Sequence, residues 1–89
     1  MALAREVARI LRDAGAPLAT ASEAGVILRA REAGAVEARW SAPRGPDPRY
    51  DPLLELEWCA ATLREAGIRA TLVMEDAGPW VLCPAPGAR

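Results

Sequence analysis

Asp47, Asp51, Glu55 and Glu57 form the densest cluster of side chains in this chain that could do chemistry. Paired carboxylates can divide the roles of general acid and general base when their surroundings push their pKa values apart. Asp51 has another explanation. An aspartate directly before a proline and an apolar run is a helix N-cap, and Glu55 and Glu57 then read as solvated residues of that helix. With no histidine in the 89 residues, the commonest general base is missing, and neither Ser22 nor Ser41 sits in a nucleophile motif such as GxSxG. Cys59 and Cys83 stand apart without a CxxC, so they make neither a zinc site nor a disulfide framework, and free thiols are expected. EF-hand spacing, GxGxxG and Walker sequences are absent as well. No catalytic, cofactor-binding or metal-binding residue is assigned.

Binding chemistry has more to work with. Arg5, Arg9 and Arg12 recur at helical spacing, and Arg29, Arg31 and Arg39 alternate along an extended segment, so both sets could follow phosphates. Both are diluted, the first by Glu6 and Asp13 and the second by Glu37. The face carrying the second set also lacks the exposed aromatics with which an RNA-binding sheet stacks bases. A net charge of −1 supplies no overall attraction to nucleic acid or an anionic membrane. The sharper anomaly is apolar. On a helix turning about 100° per residue, Leu54 and Trp58 project away from the Leu53, Leu56, Ala60 and Leu63 face, together with Ala61. Either the proline-rich loop or Tyr50 folds over them, or they meet a partner, a second copy of the chain included.

The elements that position these residues are marked by an acid-Ala-Gly tripeptide, found at Asp13-Ala14-Gly15, Glu23-Ala24-Gly25, Glu32-Ala33-Gly34, Glu65-Ala66-Gly67 and Asp76-Ala77-Gly78. Glycine accepts the left-handed conformation that ends helices and closes hairpins, so each is read as a chain reversal. Leu3, Val7, Ile10, Leu11 and Ala14 form the apolar side of a first helix stopped by Gly15. A second runs from the Asp51 cap to Gly67, its inward face Leu53, Leu56, Cys59, Ala60 and Leu63. Leu11-Arg12-Asp13-Ala14-Gly15 resembles Leu63-Arg64-Glu65-Ala66-Gly67, a faint repeat that fits two helix–hairpin units.

Around Glu32-Ala33-Gly34 a hairpin pairs Arg29 with Glu37, Leu28 with Ala38 and Val26 with Trp40. Val26, Leu28, Ala30, Val36, Ala38 and Trp40 then share one face, and Ile27, Arg29, Arg31, Glu37 and Arg39 the other. A three-residue loop at Asp76-Ala77-Gly78 sets Met74 opposite Trp80 and Leu72 opposite Leu82, which leaves Val73, Val81 and Cys83 on an outer face that no helix covers. A short strand over 17–22, turned at Glu23-Ala24-Gly25, adds a further member. Between Trp40 and Tyr50 three prolines and a glycine make a loop; from Pro84 the chain cannot continue a sheet, and residues 85–89 are expected to be a disordered tail.

The fold expected is a single α+β domain over 1–84: a two-layer sandwich with an antiparallel sheet of four or five strands and two helices on one face, in the order α-β-β-β-α-β-β. The alternative treats residues 22–33 as a helix opened by the capping box Thr20-Ala21-Ser22-Glu23, which gives a winged helix-turn-helix of order α-α-β-α-β-β. It places Gly25 inside a helix at a cost of about 1 kcal/mol. Arginine supplies every basic residue and Lys, His, Asn and Gln are absent, which points to GC-rich, bacterial coding rather than to an activity. The charges within residues 1–14 exclude a secretory signal and no run reaches membrane-spanning length, so a cytoplasmic protein is expected.

The function expected is a non-catalytic protein-interaction module that self-associates as a homodimer or meets a protein partner through Leu54, Trp58, Val73 and Val81. It needs no cofactor and no membrane. The alternative is a winged-helix nucleic-acid binder using Arg5, Arg9, Arg12, Arg29 and Arg31. A third reading is a cofactor-free enzyme or ligand binder with its pocket between helices and sheet.

Overall fold

The computed structural model describes residues 2–87. Helix α1 (Ala2–Asp13) leads to strands β1 (Gly25–Ala30) and β2 (Val36–Ser41), then helix α2 (Pro52–Glu65) leads to β3 (Thr71–Glu75) and β4 (Gly78–Cys83). The four strands form one antiparallel sheet of order β1-β2-β4-β3, and both helices lie on one face, α1 against β1 and α2 against β2, β4 and β3. The α+β sandwich read from the sequence is the architecture found.

Each helix begins and ends for a local reason. Asp51 Oδ1 accepts the backbone N–H of Leu53 at 3.0 Å and of Leu54 at 3.5 Å, and Pro52 opens the first turn of α2, where no N–H is missed. At the other end, the Ile68 N–H reaches the Leu63 carbonyl at 2.9 Å and the Gly67 N–H the Arg64 carbonyl at 3.0 Å, with Gly67 at φ 87°. This is the Schellman arrangement. α1 repeats it: Ala16 bonds Leu11 at 2.9 Å, Gly15 bonds Arg12 at 3.0 Å, and Gly15 also takes φ 87°. The Leu-Arg-acid-Ala-Gly repeat is therefore a repeated helix stop.

Between the layers, Leu3, Val7 and Leu11 of α1 and Leu56, Cys59, Ala60 and Leu63 of α2 meet Val26, Val36, Ala38, Val81 and Cys83 of the sheet. Fully burying each Leu or Val contributes about 1.5–3 kcal/mol.

The β1–β2 register is the one expected, with Val26 opposite Trp40, Leu28 opposite Ala38 and Arg29 opposite Glu37. The second hairpin is not. Its loop closes over Asp76 and Ala77 alone, so Glu75 faces Gly78, Val73 faces Trp80 and Leu72 faces Val81. Gly78 enters the ladder at φ 123° instead of standing in the loop. Because side chains alternate, this one-residue slip turns the whole of β4 over. Val81 and Cys83 point into the core with no exposure, and Trp80 and Leu82 take the outer face.

Two further expectations are corrected. The strand over 17–22 contracts to one bridge, Leu18 beside Val26 in parallel sense, so the order is α-β-β-α-β-β. The helix over 22–33 that a winged helix-turn-helix requires is absent, because residues 25–30 are a strand. Its capping signal is still used locally: Thr20 Oγ1 accepts the N–H of Glu23 at 2.9 Å, but the chain turns there instead of coiling. Gly25 is also no left-handed turn residue. A Cβ on it would lie 2.6 Å from backbone atoms of Pro17, Leu18 and Ala19, and only glycine permits that approach. Past Cys83 the chain leaves the sheet, and Pro84 and Ala85 are half-buried. Ala88 and Arg89, the end of the expected tail, lie outside the described residues.

Candidate interaction surfaces

The sheet's outer face has no helix over it and closes itself with charge. Across the strands run Ile27, Arg39, Trp80 and Val73 in one row and Arg29, Glu37, Leu82 and Thr71 in the next. The Arg39 guanidinium carbon lies 4.8 Å from the Trp80 ring centroid and that of Arg31 lies 5.1 Å away, each within cation–π range. Trp80 is only 7% exposed as a result, and its indole N–H donates to Glu75 Oε1 at 2.8 Å. Glu37 stands beside them at 6% exposure, accepting from Arg39 Nε and, at 3.1 Å, from Arg31 Nη1. The hydrogen bond from Arg39, followed by the charges of Arg39, Arg31 and Arg29, holds the Glu37 carboxyl below its ordinary value despite the opposing effect of burial. Arg31 and Arg39, two of the three arginines that looked like a phosphate-binding set, are thus occupied in covering a tryptophan and neutralising a carboxylate, while Arg29 stays exposed.

The other arginines do not join them. Arg5, Arg9 and Arg12 are exposed on α1, in the opposite layer from Arg29 and Arg31, and Arg9 pairs with Asp13 at 3.7 Å in solvent. The two sets form no common surface.

The acidic cluster also disperses. Asp47 Oδ2 accepts from Arg49 Nη2 at 2.7 Å, which lowers the Asp47 carboxyl, and Asp51 is committed to the α2 cap. Beside Asp47 an open cavity of about 240 Å³ is lined by Trp40, Pro46 and Tyr50. Among the described residues no three His, Cys, Asp or Glu side chains gather as metal ligands. Cys59 and Cys83 are free and buried, and burial pushes both thiols up to about 11, so neither is an activated nucleophile.

On α2 the apolar anomaly survives folding. Leu54 is 60% exposed and Trp58 41%, one helical turn apart and on the side opposite Leu56, Cys59, Ala60 and Leu63. Tyr50 does not cover them: its ring meets Trp40 instead, edge-on at 5.2 Å between centroids. Of the other sheet residues expected at an interface, Val73 lies half-buried on the outer face and Val81 is corrected to the core.

The sheet's two edges, which sequence reading did not separate, differ. Along β1 the Val26 N–H donates to the Pro17 carbonyl at 2.7 Å and the Val26 carbonyl accepts from Ala19 at 2.9 Å. That cover ends at Val26, since Leu28 and Ala30 face the same edge with no backbone partner there among the described residues, and β3 has no such cover at all. The Ala70 carbonyl at its start accepts from Arg64 Nη1 at 2.9 Å, and no backbone bond leaves residues 71–75 except within the sheet. In an antiparallel strand alternate residues turn their N–H and C=O to opposite sides. Met74 stands opposite Pro79, which has no N–H to give, so Met74 and Leu72 turn their backbone groups to the free edge. Met74 is 62% exposed. The edge is visible only once the order β1-β2-β4-β3 is known, since nothing local in the sequence says which strand is outermost.

No family model, curated protein or solved structure matches the chain. No helix among the described residues is long and apolar enough to cross a membrane.

Proposed function

We propose that this protein is a small non-catalytic interaction module that self-associates as a homodimer by burying apolar surface, with Leu54 and Trp58 of α2 in the contact. The observation that carries the reading is their exposure of 60% and 41% on the solvent side of a helix whose core face is already complete. Trp is among the residues most enriched where contact energy concentrates, and fully burying a side chain of this size contributes about 1.5–3 kcal/mol. The buried, unbridged Cys59 and Cys83 suit a reducing compartment, which supports the cytoplasm as its location.

Nucleic-acid binding is the weaker reading. Arg31 and Arg39 are engaged by Glu37 and Trp80, and the α1 arginines lie in the other layer. Sedimentation velocity over a wide concentration range tests the proposal. The intact chain should pass reversibly from monomer to dimer, and Trp58→Ala should raise the dissociation constant at least about tenfold, the effect of losing one interface anchor. A dimer indifferent to both Leu54→Ala and Trp58→Ala would remove α2 from the contact.

A further inference from the structure

We propose that the two copies of the dimer meet helix layer to helix layer, α1 of each lying over α2 of the other, about a two-fold axis along the seam between the two helices. This rests on the self-association proposed above and names the surface of the second copy that receives Leu54 and Trp58. α1 and α2 pack side by side on one face of the sheet and turn opposite characters to solvent. Opposite the buried Leu3, Val7 and Leu11, α1 exposes Arg5, Arg9 and Arg12. Opposite the buried Leu56, Cys59, Ala60 and Leu63, α2 exposes Leu54, Trp58 and Glu65, with Glu57 beside them.

The charges of both stripes are unmatched within one copy. Among the described residues Arg5, Arg12, Glu57 and Glu65 form no ion pair, and Arg9 has only its 3.7 Å contact with Asp13 in solvent. An exposed pair of that kind adds little. Glu6 and Asp13 flank the first stripe, and Arg64 flanks the second with its Nη1 bound to the Ala70 carbonyl. The far side of the sheet shows how such groups combine: Arg31 and Arg39 lie over Trp80, with Glu37 beside them. Trp58 has no such cover among the described residues. Laying α1 on the second copy's α2 supplies it, the arginines covering Trp58 and Leu54 with their stems and guanidinium groups while Glu57 and Glu65 take their charge.

This charge complementarity names a second copy as the occupant. An acidic partner fits α1 alone and is repelled by Glu57 and Glu65 beside it, and a basic or apolar partner fits α2 alone. A copy of this chain turned about the seam satisfies both stripes at once, because each chain brings one of each. The other two-fold arrangement, α2 over α2 and α1 over α1, sets Glu57 and Glu65 against the same glutamates and the arginines against the same arginines. Both stripes are used in closing the pair, so assembly stops at two copies.

Charge reversal with mixing, read by sedimentation velocity, tests the pairing. One chain carrying Arg5→Glu with Arg9→Glu, and another carrying Glu57→Arg with Glu65→Arg, should each raise the dissociation constant at least about tenfold. An equimolar mixture of the two should form a heterodimer within about threefold of the unmodified affinity, because both of its contacts again join opposite charges. A misfolded chain would not be rescued in this way. Where a variant does not fold, salt decides: dimerisation of the unmodified chain should weaken steadily as sodium chloride is raised, and an affinity indifferent to salt overturns the pairing. A dimer weakened by Trp58→Ala but unmoved by either charge reversal, or reversals that mixing does not rescue, overturns the contact of α1 with α2 and leaves self-association standing. A chain monomeric at every concentration overturns both.

Discussion

The unit of α1, β1 and β2 and the unit of α2, β3 and β4 share a five-residue helix stop and a following antiparallel hairpin, yet the first covers the start of its sheet edge, at Val26, and the second covers none of its own among the described residues. The difference lies in the connections. Between α1 and β1 the chain spends residues 14–24, long enough for Pro17 and Ala19 to bond Val26 before Thr20 turns the chain back. Between α2 and β3 it spends only residues 66–70, and nothing is left to lie along Leu72 and Met74. The longer helix-to-strand connection covers the first residues of its edge, and the shorter one covers none of β3.

Changes in the shared parts should affect the two units alike, and they should be the largest. Leu11→Ala and Leu63→Ala each empty a fully buried site that also anchors its Schellman stop, and each should cost about 2–5 kcal/mol in denaturant unfolding. A loss confined to one of them would mean that the helices contribute unequally to the core.

The next change breaks the asymmetry itself. Gly25→Ala forces a Cβ to within 2.6 Å of the backbone at 17–19, so the sealing segment must move away from β1 at a cost of about 1–3 kcal/mol. The Val26 amide should then lose protection against hydrogen exchange. Retained protection at Val26 would show that the Pro17 carbonyl is not what holds its N–H.

Gly15→Ala and Gly67→Ala should be smaller and equal, about 1–2 kcal/mol each, because both positions sit at φ 87° with no atom within 4 Å of an added Cβ. Thermal unfolding of the two variants compares the stops directly.

The smallest effect concerns the outer face. The folded-state pKa of Glu37 lies below its unfolded value, so its contribution is complete above the unfolded value of about 4.3 and is lost as pH falls through the folded value. Glu37→Gln should therefore flatten the acid limb of a stability–pH curve below about pH 4.3. An unchanged acid limb would show that the Arg31–Glu37–Arg39 network adds nothing there.

Much of this arrangement was legible in the residues. The Asp51-Pro52 cap and the Gly15 and Gly67 stops each have one local physical solution, and the alternation of Val26 to Trp40 favoured the strand over the helix that residues 22–33 also allowed. β4 was not legible for a specific reason. Trp80-Val81-Leu82-Cys83 is apolar at every position, so no alternation shows which face is inward, and the register hangs on whether Gly78 belongs to the loop or the ladder. Glu32-Ala33-Gly34 and Asp76-Ala77-Gly78 look alike but close differently: the first puts Ala33 at φ 62° and Gly34 at φ 81° in its loop, and the second needs only Asp76 and Ala77. Of the candidate surfaces, Leu54 and Trp58 follow from helical angle alone. The covering of Trp80 by arginine and the open edge of β3 depend on non-local strand order, which a single local pattern does not encode.

Sedimentation velocity of the unmodified chain at rising concentration tests the central claim of self-association most directly. The account predicts a reversible shift from the monomer mass to twice that mass and no further. A chain that stays monomeric at every concentration would contradict it.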